Sequence, residues 1–336
     1  MFHLSHSHIA KRLTTLRAPV RRLIKCIAAT TLGIAAIGAH AQDSTSLVVA
    51  FPAGGPADSL ARIVAAQLEK ELKHPVVVEN KPGGNGAIAA TDVARARPDG
   101  HKLFVSSVGA ISINPGLYPK LIYDPINDFL PVSQLVSVPE VLVVGPNSPY
   151  VDAQAFVKQV KGEGLSMASS GVGSMPHMAI AQLKLATKGN ILHVPYKGAA
   201  PAITDTIGGQ VAGFIGDVSG LMPHIKSGKV KALAIAAAKR SPVLPDVPTF
   251  DELGIPNVYA NNWYGVFAPK DTPASTVDSL NAVFAKVLAS PEMKTYAEST
   301  GVELSPTTPQ AFSDIVRGDA KKWGDLIREE NITVNN

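Results

Sequence analysis

The sequence predicts an α/β protein of two lobes, and three observations carry that reading. Short apolar runs recur along the chain, several of them continuous, as in strands covered on both faces. Amphipathic stretches of helical period fill most of the gaps between them. Two proline-rich stretches, Pro139–Pro149 and Pro242–Pro256, interrupt the alternation and mark two crossings between lobes. Two crossings place both ends of the chain in one lobe and leave a hinge and a cleft beside the other.

In order, strands are expected at 47–51, 76–79, 103–106, 141–144, 166–169, 191–194, 212–215, 232–236 and 264–267. Helices are expected at 59–72, 88–96, 153–160, 178–186 and 200–207, and the tail from Pro273 to Glu330 reads as a run of helices. In such a fold ligands bind at the carboxyl ends of strands.

Ahead of this lies a leader. Residues 1–41 carry six basic residues (Lys11, Arg12, Arg17, Arg21, Arg22, Lys25) and no acid, then an uncharged stretch from Cys26 to Gly38 and a small-x-small ending, Ala39-His40-Ala41. The uncharged stretch is too short for a bilayer span, which takes about 20 residues. Export with cleavage after Ala41 is expected, so the location is the periplasm. Removing the leader takes the 31 basic residues to 31 − 6 = 25 against 27 acids, a charge of −2 in place of +4. That balance gives no sign of a nucleic-acid surface. Cys26 leaves with the leader, so no disulfide, thiolate metal site or cysteine nucleophile remains. No later stretch has the length and apolarity of a membrane span.

Enzyme and cofactor signatures are thin. Gly84-Asn85-Gly86-Ala87-Ile88-Ala89 fits G-x-G-x-x-A, but the next strand, "LFVSS", ends without the acid a dinucleotide ribose needs. Mature His74, His101, His177, His193 and His224 never fall at i, i+4, and no zinc motif occurs, so no metal or other cofactor is expected. There is no G-x-S-x-G elbow and no obvious acid/base pair. His177, just inside a helix, reads equally as a ligand contact or as a polar residue at a helix start.

What stands out is three glycine-containing turns: "FPAGGPAD" (51–58), "SSGVGSMPH" (169–177) and "PYKGAAPAITD" (195–205). In each, glycine lets the backbone approach a ligand and leaves amides free at a helix start, where the dipole favours an anion. Asp58 sits awkwardly beside an anion site, and reads better as a helix-start residue that orders its loop. Lys197 is either solvent-facing or an offset to ligand charge. Trp263 and Tyr264 read as packing residues.

Across the mature chain, "FPAGGPADSLARIVAAQL", "PVVVENKPGGNGAIAA", "ARPDGHKLFV", "INPGLYPKLIYDPINDFLPVSQL", "HVPYKGAAPAITDTIGGQV", "MPHIKSGKVKALAIAAAKRSPVLPDVPTFDELG" and "NWYGVFAP" closely resemble the solute-binding receptors of tripartite tricarboxylate transporters, also called Bug receptors. The resemblance implies a type II periplasmic-binding-protein (Venus flytrap) fold: two doubly wound α/β lobes with a cleft, lobe 1 being 42–140 with 262–336 and lobe 2 being 141–261. It implies a non-catalytic, monomeric receptor that captures a small organic carboxylate and delivers it to a two-subunit membrane permease. A ligand-binding receptor for a sensor protein and a secreted α/β enzyme stand as the alternatives. Family receptors hold the carboxylate through loop amides, hydroxyls and bridging waters. The residues implied are Phe51, Pro52, Ala53, Gly54, Gly55 and Asp58; Ser107; Ser170, Gly171, Gly173, Ser174 and His177; Tyr196, Lys197 and Gly198; and Asp217. Ala57 stands where the family commonly has a hydroxyl residue, and Val218 where asparagine often follows the aspartate, so two polar contacts are lost and a less polar acid is favoured.

Overall fold

The computed structural model describes residues 44–334, so the leader and its cleavage site lie outside the described residues. The first strand, β1 (Thr45–Val49), is followed by α1 (Pro56–Leu72), whose apolar positions Ala57, Leu60, Ala61, Val64, Ala65 and Leu68 recur at helical spacing and are all buried. Lys73 ends α1 in the left-handed conformation, its amide closing on Glu69. Next come β2 (Val76–Asn80), a 3₁₀ turn at Gly84–Gly86, α2 (Ala87–Ala94) and β3 (Lys102–Ser107). A π turn (Gly109–Ile113) runs into α3 (Asn114–Leu117).

The middle of the chain continues with β4 (Phe129–Val144), α4 (Ala153–Lys161), β5 (Leu165–Ser169), α5 (Met175–Thr187) and β6 (Ile191–Pro195). Asp152 and Ser174 cap α4 and α5 by accepting from amides three residues on. Then follow α6 (Ala199–Ile207), β7 (Gly213–Asp217), α7 (Val218–Lys226), β8 (Lys231–Ile235) and β9 (Asn261–Pro269). The tail is α8 (Ala274–Leu288), α9 (Pro291–Thr300), the two-residue β10 (Glu303–Leu304) and α10 (Pro309–Glu329).

The strand order is β2-β1-β3-β9-β4-β7-β5-β6, with β8 and β10 also paired to β4. β1 lies parallel to β2 and β3, and β5 parallel to β6 and β7. The strands between them differ from the expectation. β4 spans Phe129–Val144 rather than 141–144, and both β4 and β9 run antiparallel to their neighbours. Pro131 and Pro139 read as breakers in the sequence. In the fold Pro131 borders a register shift, and Pro139 is the last residue paired with β9 before the ladder passes, at Glu140, to β7. The helix α7 and the strand β10 were also not expected from the sequence.

Buried aromatic side chains hold the tail in place. Phe312, Val316, Trp323 and Ile327 share one face of α10, and Phe312 meets Trp263 edge-on and Phe267 at 5.0 Å each. Burying one such side chain contributes about 1.5–3 kcal/mol. Trp263 donates its indole N–H to Asp319 at 2.8 Å, which ties β9 to α10. No helix among the described residues is long and apolar enough to cross a membrane.

Candidate functional site

The carboxyl ends of β1, β3, β5, β6 and β7 open onto one pocket with about 740 Å³ of empty space, part of it open to solvent. Its first wall is the turn after β1. Asp58 accepts from the Gly54 amide (2.9 Å), from Arg62 Nε (3.0 Å) and from Asn80 Nδ2 (3.0 Å). Burial raises the pKa of this carboxyl, but the three hydrogen bonds and the Arg62 charge outweigh it and hold the group below the ordinary aspartate range. Asp58 is thus the fastener of the turn and not part of the pocket lining. Gly54, at φ +81°, gives its amide to Asp58 and is also absent from the lining. Phe51, Pro52, Ala53, Gly55, Pro56 and Ala57 do line the pocket, at the start of α1, where a helix has amides without intrahelical acceptors.

The second wall follows β5. Ser170 and Ser174 line the pocket, and Ser174 both caps α5 and donates to the Gly171 carbonyl at 2.6 Å. Gly171 and Gly173 shape this turn at φ +137° and +77° without lining the pocket. His177 turns away from the pocket. Its Nδ1 accepts from the Gly173 amide at 3.2 Å, and its ring stacks on His193 at 3.8 Å and 10°. Burial, with the neighbouring imidazole, pushes His177 down to about 3, and burial pushes His193 down to about 4, so both rings are neutral at pH 7.

The third wall follows β6. Lys197 and Gly198 line it, with Ala199, Ala200 and Pro201 from the start of α6. A Cβ on Gly198 would lie 3.4 Å from Pro52, so the first and third turns abut. Tyr196 is directed elsewhere, donating its hydroxyl to Asp205 at 2.7 Å.

The fourth wall joins β7 to β9. Asp217 accepts from Asn262 Nδ2 at 3.0 Å and from the Tyr264 hydroxyl, and all three residues line the pocket. Ser107, at the end of β3, pairs with Tyr264 across the ladder and lines it too. Behind Asp217, across the β4–β7 ladder, stands Glu140, completely buried. Burial and then the Asp217 charge raise the Glu140 carboxyl well above its ordinary range, and the same two causes raise the Tyr264 phenol.

Of the residues expected from the sequence, Phe51, Pro52, Ala53, Gly55, Ser107, Ser170, Ser174, Lys197, Gly198 and Asp217 come together in the lining. Gly54, Asp58, Gly171, Gly173, His177 and Tyr196 do not; they set the turns or pack behind them. Sequence reasoning missed Asn262 and Tyr264, whose signal was two polar groups inside the apolar stretch "NNWYGVFAP". It also missed Glu140, a lone acid in "VSVPEVLVV". Asn85, set aside with the glycine pattern, lines the pocket and donates to the Gly173 carbonyl (2.7 Å) and to Asn114 (2.9 Å).

Chemically, the lining is rich in hydrogen-bonding groups. It offers helix-start amides, three serine hydroxyls and one lysine, and one carboxyl, among apolar side chains such as Met175, Ile203, Phe214 and Leu221. Among the described residues the Ser169–His193 hydrogen bond (2.6 Å) is the one serine–histidine side-chain pair near it, and Ser169 is fully buried outside the lining. Among the described residues no group of three or more His, Cys, Asp or Glu is placed to hold a metal ion.

One protein family and three solved structures are similar to this chain. The family described as "Tripartite tricarboxylate transporter family receptor" matches residues 60–332. The structure of the periplasmic binding protein BugD is 35% identical, with a TM-score of 0.82, covering 86% of this chain and 98% of that one. MatC from Rhodopseudomonas palustris, solved with bound malate, is 35% identical at a TM-score of 0.79, covering 84% and 98% of the two chains. Rpa4515 of the same organism, solved with adipate, is 31% identical at 0.82, covering 86% and 98%. The mixed α/β architecture is that of the two-lobed periplasmic binding proteins.

Proposed function

This chain belongs to the tripartite tricarboxylate transporter receptor family, and from that premise we propose that it is a periplasmic receptor which captures a small organic carboxylate and delivers it to a two-subunit membrane permease. Residues 42–140 with 262–336 form one lobe and 141–261 the other, with the ligand in the cleft between them. The change of β4 partners at Pro139 and Glu140 supports that division. Malate in MatC and adipate in Rpa4515 support the ligand class.

The observation that carries the reading is the convergence of the α1 and α6 starts, Ser107, Ser170, Ser174 and Lys197 on one pocket. Such a constellation holds an anion by hydrogen bonds and releases it unchanged. A thermal-shift screen of the mature protein, refolded to strip carried-over ligand, tests it. At a hundredfold excess over Kd a true ligand stabilises the fold by about 2.7 kcal/mol, a rise in Tm on the order of 5 °C for a chain of this size. Small carboxylates are expected to produce it. If sugars or polyamines raise Tm and no carboxylate does, the receptor reading fails.

A further inference from the structure

We propose that Asn85 is the clasp of the cleft: a positioning residue of the first lobe (42–140 with 262–336) whose side-chain amide holds the Ser170–Ser174 turn of the middle lobe (141–261) and so sets how often the pocket opens. The inference rests on the two-lobed receptor reading.

The Gly84-Asn85-Gly86 run, which matches a dinucleotide pattern without its acid, is shaped for this task. All three residues have positive φ (55°, 48° and 92°), and asparagine is among the few side chains that tolerate the left-handed region. The turn is pressed onto the structure beneath it: a Cβ on Gly86 would lie 2.8 Å from Ala110, and one on Gly109 2.8 Å from the Asn85 amide group. Asn114, fully buried, fixes the direction of the Asn85 side chain. Its Nδ2 donates to the Asn85 carbonyl (3.2 Å) and to the Tyr123 hydroxyl (2.8 Å), and Tyr123 donates in turn to the Ala110 carbonyl. That leaves Asn114 Oδ1 as an acceptor, and Asn85 Nδ2 donates to it at 2.9 Å. The second Nδ2 hydrogen goes to the Gly173 carbonyl at 2.7 Å. Both amide hydrogens are thereby committed to the protein. Asn85 lines the pocket, yet it has no donor left for a carboxylate.

Three glycines of the middle lobe receive first-lobe side chains around the pocket. A Cβ on Gly173 would lie 2.6 Å from Leu117 and 3.0 Å from Asn85 Nδ2, one on Gly220 2.7 Å from Pro56, and one on Gly198 3.4 Å from Pro52. Proline rings make two of these contacts and bring no hydrogen bond; Asn85 brings one. Among the described residues the other polar side-chain bonds between the lobes lie at the crossings, where Asn262 and Tyr264 meet Asp217 and Asn261 meets Ser137, or belong to the exposed lysines Lys184, Lys226 and Lys322. Bonds of the exposed kind contribute little. Asn85 is thus the residue that ties a turn of the pocket itself across the cleft.

The test uses the protein expressed from Gln42, which has no native thiol because Cys26 is the chain's one cysteine. Ser107 lines the pocket and is 5% exposed, so after Ser107→Cys a bulky reagent, fluorescein maleimide, reaches the thiol when the cleft opens, and its labelling rate reads the open fraction. Asn85→Gly keeps the left-handed turn and removes the clasp; Asn85→Asp keeps the shape, but a carboxylate has no hydrogen to give the Gly173 carbonyl. With no acid added, each is expected to label about two- to tenfold faster than the parent, the factor one hydrogen bond sets. A separate probe, Ser112→Cys, sits buried in the first lobe outside the pocket and should label at the parental rate throughout. Gly220→Leu, at a helical position, wedges a side chain against Pro56 and should speed labelling at position 107 with Asn85 intact. Parental rates in both Asn85 variants beside an effective wedge overturn the clasp and leave the two lobes standing. A wedge without effect removes the moving lobes as well. Labelling at position 112 that rises in step with position 107 makes Asn85 a stability residue and also overturns the inference. The carboxylate screen is independent of all these results, so failure of the receptor reading is distinct from failure of the clasp.

Discussion

The stacked imidazoles of His177 and His193 should make this fold acid-sensitive in a specific window. Both have folded values below the unfolded 6.5, at about 3 and about 4. Between those values and 6.5 the unfolded chain binds protons that the fold does not. The stability the pair contributes is therefore complete above pH 6.5 and lost as pH falls. Acidification from pH 7 to pH 5 withdraws roughly 2 kcal/mol per imidazole, roughly 4 for the pair. Glu140 works in the opposite direction: its raised folded pKa adds stability at low pH that is lost as pH rises above 4.5. A difference measurement removes that contribution. His193→Phe keeps a flat ring against His177 and leaves Ser169 its other bond, to the Gly171 carbonyl at 3.1 Å. Urea unfolding of both proteins, without ligand, at pH 7, 6 and 5 should show the variant losing about 2 kcal/mol less than the parent across that range. A constant offset at every pH would refute the assignment of two neutral, buried imidazoles.

The neighbouring glycines of the first turn should separate affinity from stability. Gly55 has extended geometry (φ −86°), and a Cβ there would meet only the Pro52 carbonyl oxygen, at 3.5 Å. Gly55→Val should therefore fold normally and bind a carboxylate at least tenfold more weakly, about 1.4 kcal/mol; unchanged affinity by titration would exclude Gly55 from the ligand wall. Gly54→Val forces a branched residue into φ +81° with open space around it, so urea midpoints should report a loss of roughly 1–2 kcal/mol while the folded fraction keeps its affinity. Asp58→Ala strands the Gly54 amide and leaves Asn80 Nδ2 with the Phe51 carbonyl alone; a stability loss on the order of 1–3 kcal/mol is expected, and a loss near zero would show that the turn needs no fastener.

The parallel strands and their helices were legible because their signals are local. Ala57, Leu60, Ala61, Val64 and Leu68 announce α1 by spacing alone, and the glycine turns follow the strands they terminate. The front of β4 was hidden because Pro131 and Pro139 look like breakers until their ladder positions are known. The fourth pocket wall was hidden for a related reason. Asp217, Asn262 and Glu140 meet through pairings that span long stretches of chain, and no window of sequence contains them together. Where the sequence placed a residue in the right turn but outside the lining, the missing information was side-chain direction. Tyr196 and His177 lie beside lining residues, yet one bonds Asp205 and the other stacks on His193.

Pro139 and Asn261 are partners across the antiparallel β4–β9 ladder. The backbone thus departs for everything from Glu140 to Ala260 and comes back at the very residue beside its point of departure. In genetic terms the middle stretch is an insertion into a hairpin. A two-residue turn can bridge such antiparallel neighbours, and so can any foreign domain whose termini lie close together. One recombination event at each of the two boundaries, neighbours in the fold though far apart in the gene, would exchange the whole middle stretch for another while leaving β2-β1-β3-β9 in register.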